Sequence, residues 1–329
     1  MRRMVLCAVL VVAMSAAAPT FADELRERQE LTDLVTALFF AENFEALEKL
    51  ATEFRSRKSR FAGGVWKLTV FYYAFNSALP PHNKDDAFWD RANSIADRWV
   101  QRYPRSPSAH NARATVLKRH AWKFRGDGYA NTVDPKAWPV FFKKLGEARE
   151  YLRRHKDVAA VDPQWYDLMA EIATAEGWDS MAFDALVEEG LKQEPLYYQL
   201  YFTAVNFLMP KWGGDPAKVD AFADAAVRRT RKDEGFSLYA RIYWVVSQYQ
   251  YGSKLFSQTG VVWPKMKLGI HDVLARYPDQ WNVNNFAYFA CLARDRNETK
   301  KLIGMISGQP IMQAWQSPEN FLRCKGFAA

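Results

Sequence analysis

From residue 23 onward the apolar positions of this chain recur at helical spacing almost without interruption. Phe44, Leu47, Leu50, Ala51 and Phe54 fall on one face, and so do Trp165, Leu168, Met169, Ile172 and Ala173. Val219, Phe222, Ala223, Ala226 and Val227 repeat the pattern, as do Val283, Phe286, Ala287, Ala290 and Cys291. Spacing of i, i+3, i+4, i+7 is that of a helix with one buried stripe. No comparable run alternates apolar and polar residues as a strand would.

The starts and stops of these helices are written in the polar residues between them. Asp134-Pro135, Asp162-Pro163 and Asp215-Pro216 each place an acid before a proline, and Ser106-Pro107 and Ser317-Pro318 place a hydroxyl there. The side-chain oxygen can accept a free N–H of the first turn, where proline's fixed φ costs no hydrogen bond. Breaks are expected at Pro80-Pro81, Gly126-Asp127-Gly128 and Gly213-Gly214. The longest landmark is LYYQLYFTAVNFLMPKWGG over residues 196–214, an aromatic helix stopped at Met209-Pro210.

Antiparallel helix pairs joined by short turns follow from this pattern. Arg102-Tyr103-Pro104 and Arg276-Tyr277-Pro278 echo one another, each closing one helix before the next. Pro163 and Pro195 are separated by close to the period of about 34 residues of tetratricopeptide pairs, with Gly177 at the turn between them. The expected fold is all-α, a tetratricopeptide-like α-solenoid of stacked antiparallel helix pairs, with a closed α/α toroid or irregular bundle second. No linker or low-complexity tract interrupts it, so residues 23–329 read as one helical-repeat domain.

Residues 1–22 read differently. Met1-Arg2-Arg3 is basic, Met4 to Met14 is apolar, and the stretch ends in small residues before Ala22. That is the form of a secretory signal peptide, too short in its apolar part to span a bilayer. A periplasmic or secreted protein is expected. The formal net charge of +8 falls by two when Arg2 and Arg3 are removed. The remaining charges of both signs are interspersed, with no dense basic arm, so no nucleic-acid partner is expected, while attraction to anionic envelope polymers stays open. Cys291 and Cys324 remain after cleavage, and in an oxidising compartment they are expected to form a disulfide.

Residues 199–227, QLYFTAVNFLMPKWGGDPAKVDAFADAAV, resemble the signature of a bacterial family named only as domain of unknown function 4034. Its members are helical and tetratricopeptide-like. Phe44 to Leu50, Gly64-Val65-Trp66-Lys67-Leu68, Trp122-Lys123-Phe124-Arg125-Gly126, Phe286 to Asp295 and the end near Cys324 are similar to its other segments. The resemblance spans most of the chain after residue 22. It implies a helical-repeat fold and brings no activity or catalytic residue with it.

Two turns are candidate binding sites. Pro210, Gly213 and Gly214 would shape the first and present Lys211 and Trp212, a cation beside an indole. Trp122, Arg125 and Tyr129 frame the second, where a guanidinium suits a carboxylate or phosphate. Both turns also have a purely architectural reading, in which the aromatic residues pack joints between helices. The 12 tryptophans could line a groove for glycans or peptides, although aromatics at helical spacing mostly build core.

Catalytic patterns are missing. The five histidines make no metal-ligand pair at i, i+4, and the chain has no HExxH, GxSxG, P-loop or GxGxxG. No metal and no cofactor is therefore expected. His271 and Asp272 are adjacent and should not face each other. Asp85, Asp86, Glu147 and Glu150 would serve a glycosidase only if the fold set two carboxylates about 5–10 Å apart across a cleft. The sequence thus points first to an exported, non-enzymatic scaffold that binds a protein or peptide. An α/α enzyme acting on envelope polysaccharide through paired carboxylates is the alternative, and a purely structural envelope subunit a third.

Overall fold

The computed structural model describes residues 23–329, and the signal-peptide expectation for residues 1–22 lies outside them. The chain is all-α: among the described residues the one β-type pairing is an isolated antiparallel bridge between Arg60 and Trp66. The first half contains α1 (Asp23–Phe40), α2 (Phe44–Arg57), α3 (Lys67–Ala78), α4 (Asp86–Arg102), α5 (Pro107–Arg125) and α6 (Ala137–Arg154). A short α7 (Lys156–Ala159) leads to α8 (Gln164–Glu176), α9 (Ser180–Gln193), α10 (Tyr198–Phe207), α11 (Val219–Glu234) and α12 (Ser237–Val246). Then follow α13 (Leu255–Gln258), α14 (Trp263–Arg276), α15 (Gln280–Leu292), α16 (Arg296–Gly304), α17 (Met312–Trp315) and α18 (Pro318–Ala328).

The polar punctuation works as its chemistry requires. Asp134, Asp162 and Asp215 each accept from the backbone N–H two residues on, at 2.9, 3.0 and 3.0 Å. Ser106 and Ser317 accept from the N–H three residues on, at 3.0 and 3.3 Å. All five thus satisfy donors that a helix start leaves free. Tyr103 and Tyr277 cap the ends of α4 and α14, and Gly177 closes α8 in the left-handed conformation with φ 68°.

Helix pairs stack side by side, an arrangement compatible with a solenoid. One row runs α1, α3, α5, α8, α10, α12, each packed on the next. A second row lies outside it, with α4 and α6 against α5, α9 against α8, and α11 and α14 against α12. Outer helices bury a single stripe, as in α2, where Phe44, Leu47, Ala51 and Phe54 are buried. Of the inner helices, α5, α8, α10 and α12 are buried on most sides, whereas α1 keeps an open face; in α8 only Glu171, Ala175 and Glu176 are partly open. One continuous apolar cluster runs from Val35 to Cys324.

The inner row does not stay open. The turn after α2, residues 58–66, reaches across to its far end. The Gly63 carbonyl accepts from Arg241 Nη2 of α12 at 2.8 Å and from Asn282 Nδ2 of α15 at 3.2 Å. The Gly63 N–H donates to the Glu24 carboxylate of α1. Arg60 donates to the Leu196 carbonyl at 3.4 Å, and Trp66 meets Tyr197 edge-on with ring centroids 5.5 Å apart. Gly64, at φ 93°, allows this approach, because a Cβ there would stand 2.7 Å from Arg241 Nη2. Two adjoining pockets open between the helices of the curled row.

A disulfide joins Cys291 of α15 to Cys324 of α18, with Cα atoms 5.6 Å apart. Among the described residues no helix is long and apolar enough to cross a membrane.

Candidate functional site

The inner helices α8 and α10 each carry a polar stripe beside the apolar one, and these stripes face each other. Gln164, Asp167, Glu171 and Thr174 follow helical spacing on α8, and Gln199, Thr203 and Asn206 do so on α10. Together with Thr69, Tyr73 and Asn76 of α3 and Lys118 and Trp122 of α5, they wall a cavity of about 450 Å³. A second lobe of about 470 Å³ is bounded by α1, α3, α10, α12 and α15. Thr69, Tyr73, Gln199 and Tyr249 border both lobes. Each lobe falls within the roughly 300–1,000 Å³ of ordinary small-ligand sites.

Asp167 is the most perturbed acid of the first lobe. It is 3 % exposed and accepts from Thr203 Oγ1 at 2.5 Å and from Gln164 Nε2 at 3.3 Å. Burial, and then the charge of Glu171 one turn away, push its carboxyl up to about 7. Glu171 itself is ion-paired with the buried Lys118 of α5. Gln164 is fixed from the other side, where its Oε1 accepts from Tyr197 OH at 2.9 Å.

Behind this wall lies a second buried carboxylate. Asp162 accepts from Arg55 Nη1 at 3.0 Å, Tyr72 OH at 2.7 Å and the Gln164 N–H at 3.0 Å. Burial raises its carboxyl, and the Arg55 guanidinium opposes the rise. With every oxygen engaged and no place in the cavity wall, Asp162 holds α2, α3 and α8 together.

The two sequence-predicted turns are only partly brought together. Trp122 and Trp212 both line the first lobe. Trp212 is half-buried, and its Nε1 and the neighbouring Asn206 Oδ1 are buried without a hydrogen-bond partner in the protein. Lys211 lies over the Tyr249 ring, 4.9 Å from its centroid, just outside the wall. Arg125 is held between Trp122 and Trp138, 4.8 and 5.1 Å from their centroids, and donates to the Gly126 and Gly128 carbonyls at 3.0 Å each. It is thus committed to closing its own turn. Tyr129 is 82 % exposed and far out on that turn.

Pro210, Gly213 and Gly214 are architectural. Pro210 opens a single 3₁₀ turn that Gly213 ends at φ 75°, and a Cβ on Gly214 would stand 2.2 Å from the Phe207 carbonyl oxygen. That close return of the chain carries Trp212 back over α10.

The surface carboxylates stay outside. Asp85 caps α4, Asp86 pairs with Lys123, Glu147 with Lys144, and Glu150 with Arg149 and Arg153. His271 bonds Glu298 at 2.9 Å while Asp272 accepts from the Phe236 N–H at 2.7 Å, so the adjacent pair points two ways. The cavity residues that the sequence reading passed over are Asp167, Glu171, Lys118, Arg28 and Arg241.

Fold and site together define an all-α protein of curled helix pairs with a polar, aromatic-walled cavity at the centre. Comparison with family models, with curated proteins and with solved structures finds no match to this chain.

Proposed function

We propose that this is an exported binding protein that takes a short peptide into its central cavity. The observation that carries the reading is the convergence of polar stripes from the inner helices on two adjoining lobes. Side-chain amides of Gln199, Asn206 and Gln248 are spread along the two lobes, beside Gln164 and Asn282, whose amides are bonded within the fold. Paired donors and acceptors of this kind suit the N–H and C=O groups of a peptide backbone. Tyr73, Trp122, Trp212, Trp244 and Trp281 offer surfaces for its side chains. The ligand is short because the lobes offer only about 450 and 470 Å³.

A periplasmic or secreted location goes with this reading. It is supported by the cysteine pair joined as a disulfide and by the basic, apolar and small-residue order of residues 1–22. The test is native mass spectrometry of the exported protein mixed with random tetrapeptides. One retained tetrapeptide per chain, lost in a Gln199→Trp variant that blocks the junction between the lobes, is expected. Absence of any retained peptide refutes the proposal.

One observation favours a second reading, an enzyme acting on envelope polysaccharide. A carboxyl held near 7 in a cavity walled by Trp122 and Trp212 has the protonation state of a general acid at neutral pH. Release of reducing ends from envelope polysaccharide, abolished by Asp167→Asn, would support it over the binding protein.

A further inference from the structure

The two lobes differ in charge. Acids and bases mix in the first, where Asp127, Asp167 and Glu171 stand with Lys118 and Arg119. The second lobe has two arginines in its wall, Arg28 and Arg241, and no carboxylate.

Arg241 is 3 % exposed. Its Nη2 donates to the Gly63 carbonyl at 2.8 Å, while its Nε is buried with no acceptor. Its guanidinium lies over the rings of Tyr198 and Tyr277, 5.1 and 5.5 Å from their centroids. Glu234, a carboxylate close enough for its charge to act on Arg241, ion-pairs instead with Arg60 at 3.8 Å. Arg28 pairs with Glu24 through Nη2, and its own Nε is likewise buried without an acceptor.

An arginine stays protonated in a protein, so Arg241 carries a buried charge that no carboxylate in direct contact balances. Such a charge is costly unless something else supplies the counter-ion. The guanidinium fork matches a carboxylate in plane and spacing. The amides of Gln199, Gln248 and Asn282 stand in the same wall, and Phe202, Trp244 and Trp281 make its apolar part.

We infer that the second lobe is a carboxylate subsite. For the short peptide proposed above it takes the C-terminal carboxylate on Arg241 and Arg28, with the last side chain against Phe202, Trp244 and Trp281. The assignment rests on the peptide reading. It also gives the bound chain a direction, with the C-terminus in this lobe and the preceding residues past Gln199 and Tyr249 into the other.

The test is titration of the exported protein, followed by tryptophan fluorescence, with three versions of a random tetrapeptide mixture. One has free termini, one is amidated at the C-terminus and one is acetylated at the N-terminus. Amidation should weaken half-saturation about tenfold or more, the loss expected for a charge-assisted pair, and acetylation should not. Arg28→Gln, which replaces a partly exposed side chain, should weaken binding of the free acid and leave the amidated mixture unchanged. Arg241→Lys should do the same if its melting temperature matches the parent. Equal binding of acid and amide would overturn the carboxylate subsite and leave the peptide reading standing. An oligoglucuronate that binds where no peptide does, and is weakened by Arg28→Gln, would overturn the peptide reading and keep the subsite. Failure of the peptides and the oligoglucuronate alike overturns both.

Discussion

Replacing Asp167 by asparagine should remove a pH dependence of stability that runs opposite to that of an ordinary ion-paired carboxylate. Burial and the neighbouring Glu171 hold the Asp167 carboxyl near 7 in the folded protein. In the unfolded chain it titrates near 3.9. Between those values the folded state holds a proton that the unfolded state releases, so the unfolding free energy falls as pH rises. The stabilisation is fully present below about pH 4 and is lost as pH passes through about 7. Integrated over that window the loss approaches about 4 kcal/mol, a large share of the 5–15 kcal/mol typical of a folded domain. Asp162, Glu24 and Asp279 are also raised by burial, whereas hydrogen bonding lowers Asp295 to about 2, so the protein's total slope mixes both signs. The difference between parent and Asp167→Asn isolates the one group, since asparagine keeps an oxygen for Thr203 Oγ1. Urea unfolding of both at half-unit steps from pH 4 to 8 should show the variant gaining on the parent, at constant m, as pH rises from about 4 to about 7, and no further gain above that. Parallel curves would refute the reasoning and with it the neutral acid on which the hydrolytic reading depends.

Three further changes test the architecture. Removing the Cys291–Cys324 bridge by a double alanine substitution should cost about 4 kcal/mol in urea unfolding, from the chain entropy of a loop spanning 33 residues; no shift in midpoint would contradict it. Gly190→Ala should destabilise by about 1–3 kcal/mol in spite of alanine's better helix propensity, because its Cβ would stand 2.6 Å from Leu200 and 2.7 Å from Tyr166. An unchanged melting temperature would show that α8 and α10 can part. Arg55→Met leaves Asp162 buried without its cation and should cost about 3–5 kcal/mol; adding Asp162→Asn should recover part of it, and a cycle with no coupling would sink the assignment.

The helices were legible because their determinants are local. An Asp or Ser ahead of a proline forms its cap from atoms two or three residues away, so Asp134, Asp162, Asp215, Ser106 and Ser317 could all be placed from the chain alone. The apolar stripe of α2 is equally local. The cavity was not legible, because an apolar stripe is normally taken as the buried face and the polar stripe as solvated. That holds for the outer row. On α8, Gln164, Asp167 and Thr174 are buried like Trp165, Leu168 and Met169, since the polar stripe faces the first lobe. A signal was present: such stripes use amides, threonine and single acids in place of the Lys-Glu mixtures of α2 or α6. Trp122 and Trp212 were found because large aromatics stand out at turns. Arg241 was missed because it sits alone in the apolar run of α12.

The contacts that create the site are the ones sequence pattern reports least. In an open helical array each repeat meets only its neighbours, and its concave face remains a surface. Here the Gly63 carbonyl is bonded to side chains 178 and 219 residues further along the chain. Those two hydrogen bonds, with Glu24 on the Gly63 N–H, tie α1, α12 and α15 to one turn. Arg241 is one of the donors, so the residue that closes the row also stands in the wall of the second lobe. Closure and binding chemistry therefore share a side chain. Its Nη2 is committed to the fold and its Nε has no acceptor there, so one guanidinium both ties the row together and brings a positive charge to the wall of the second lobe.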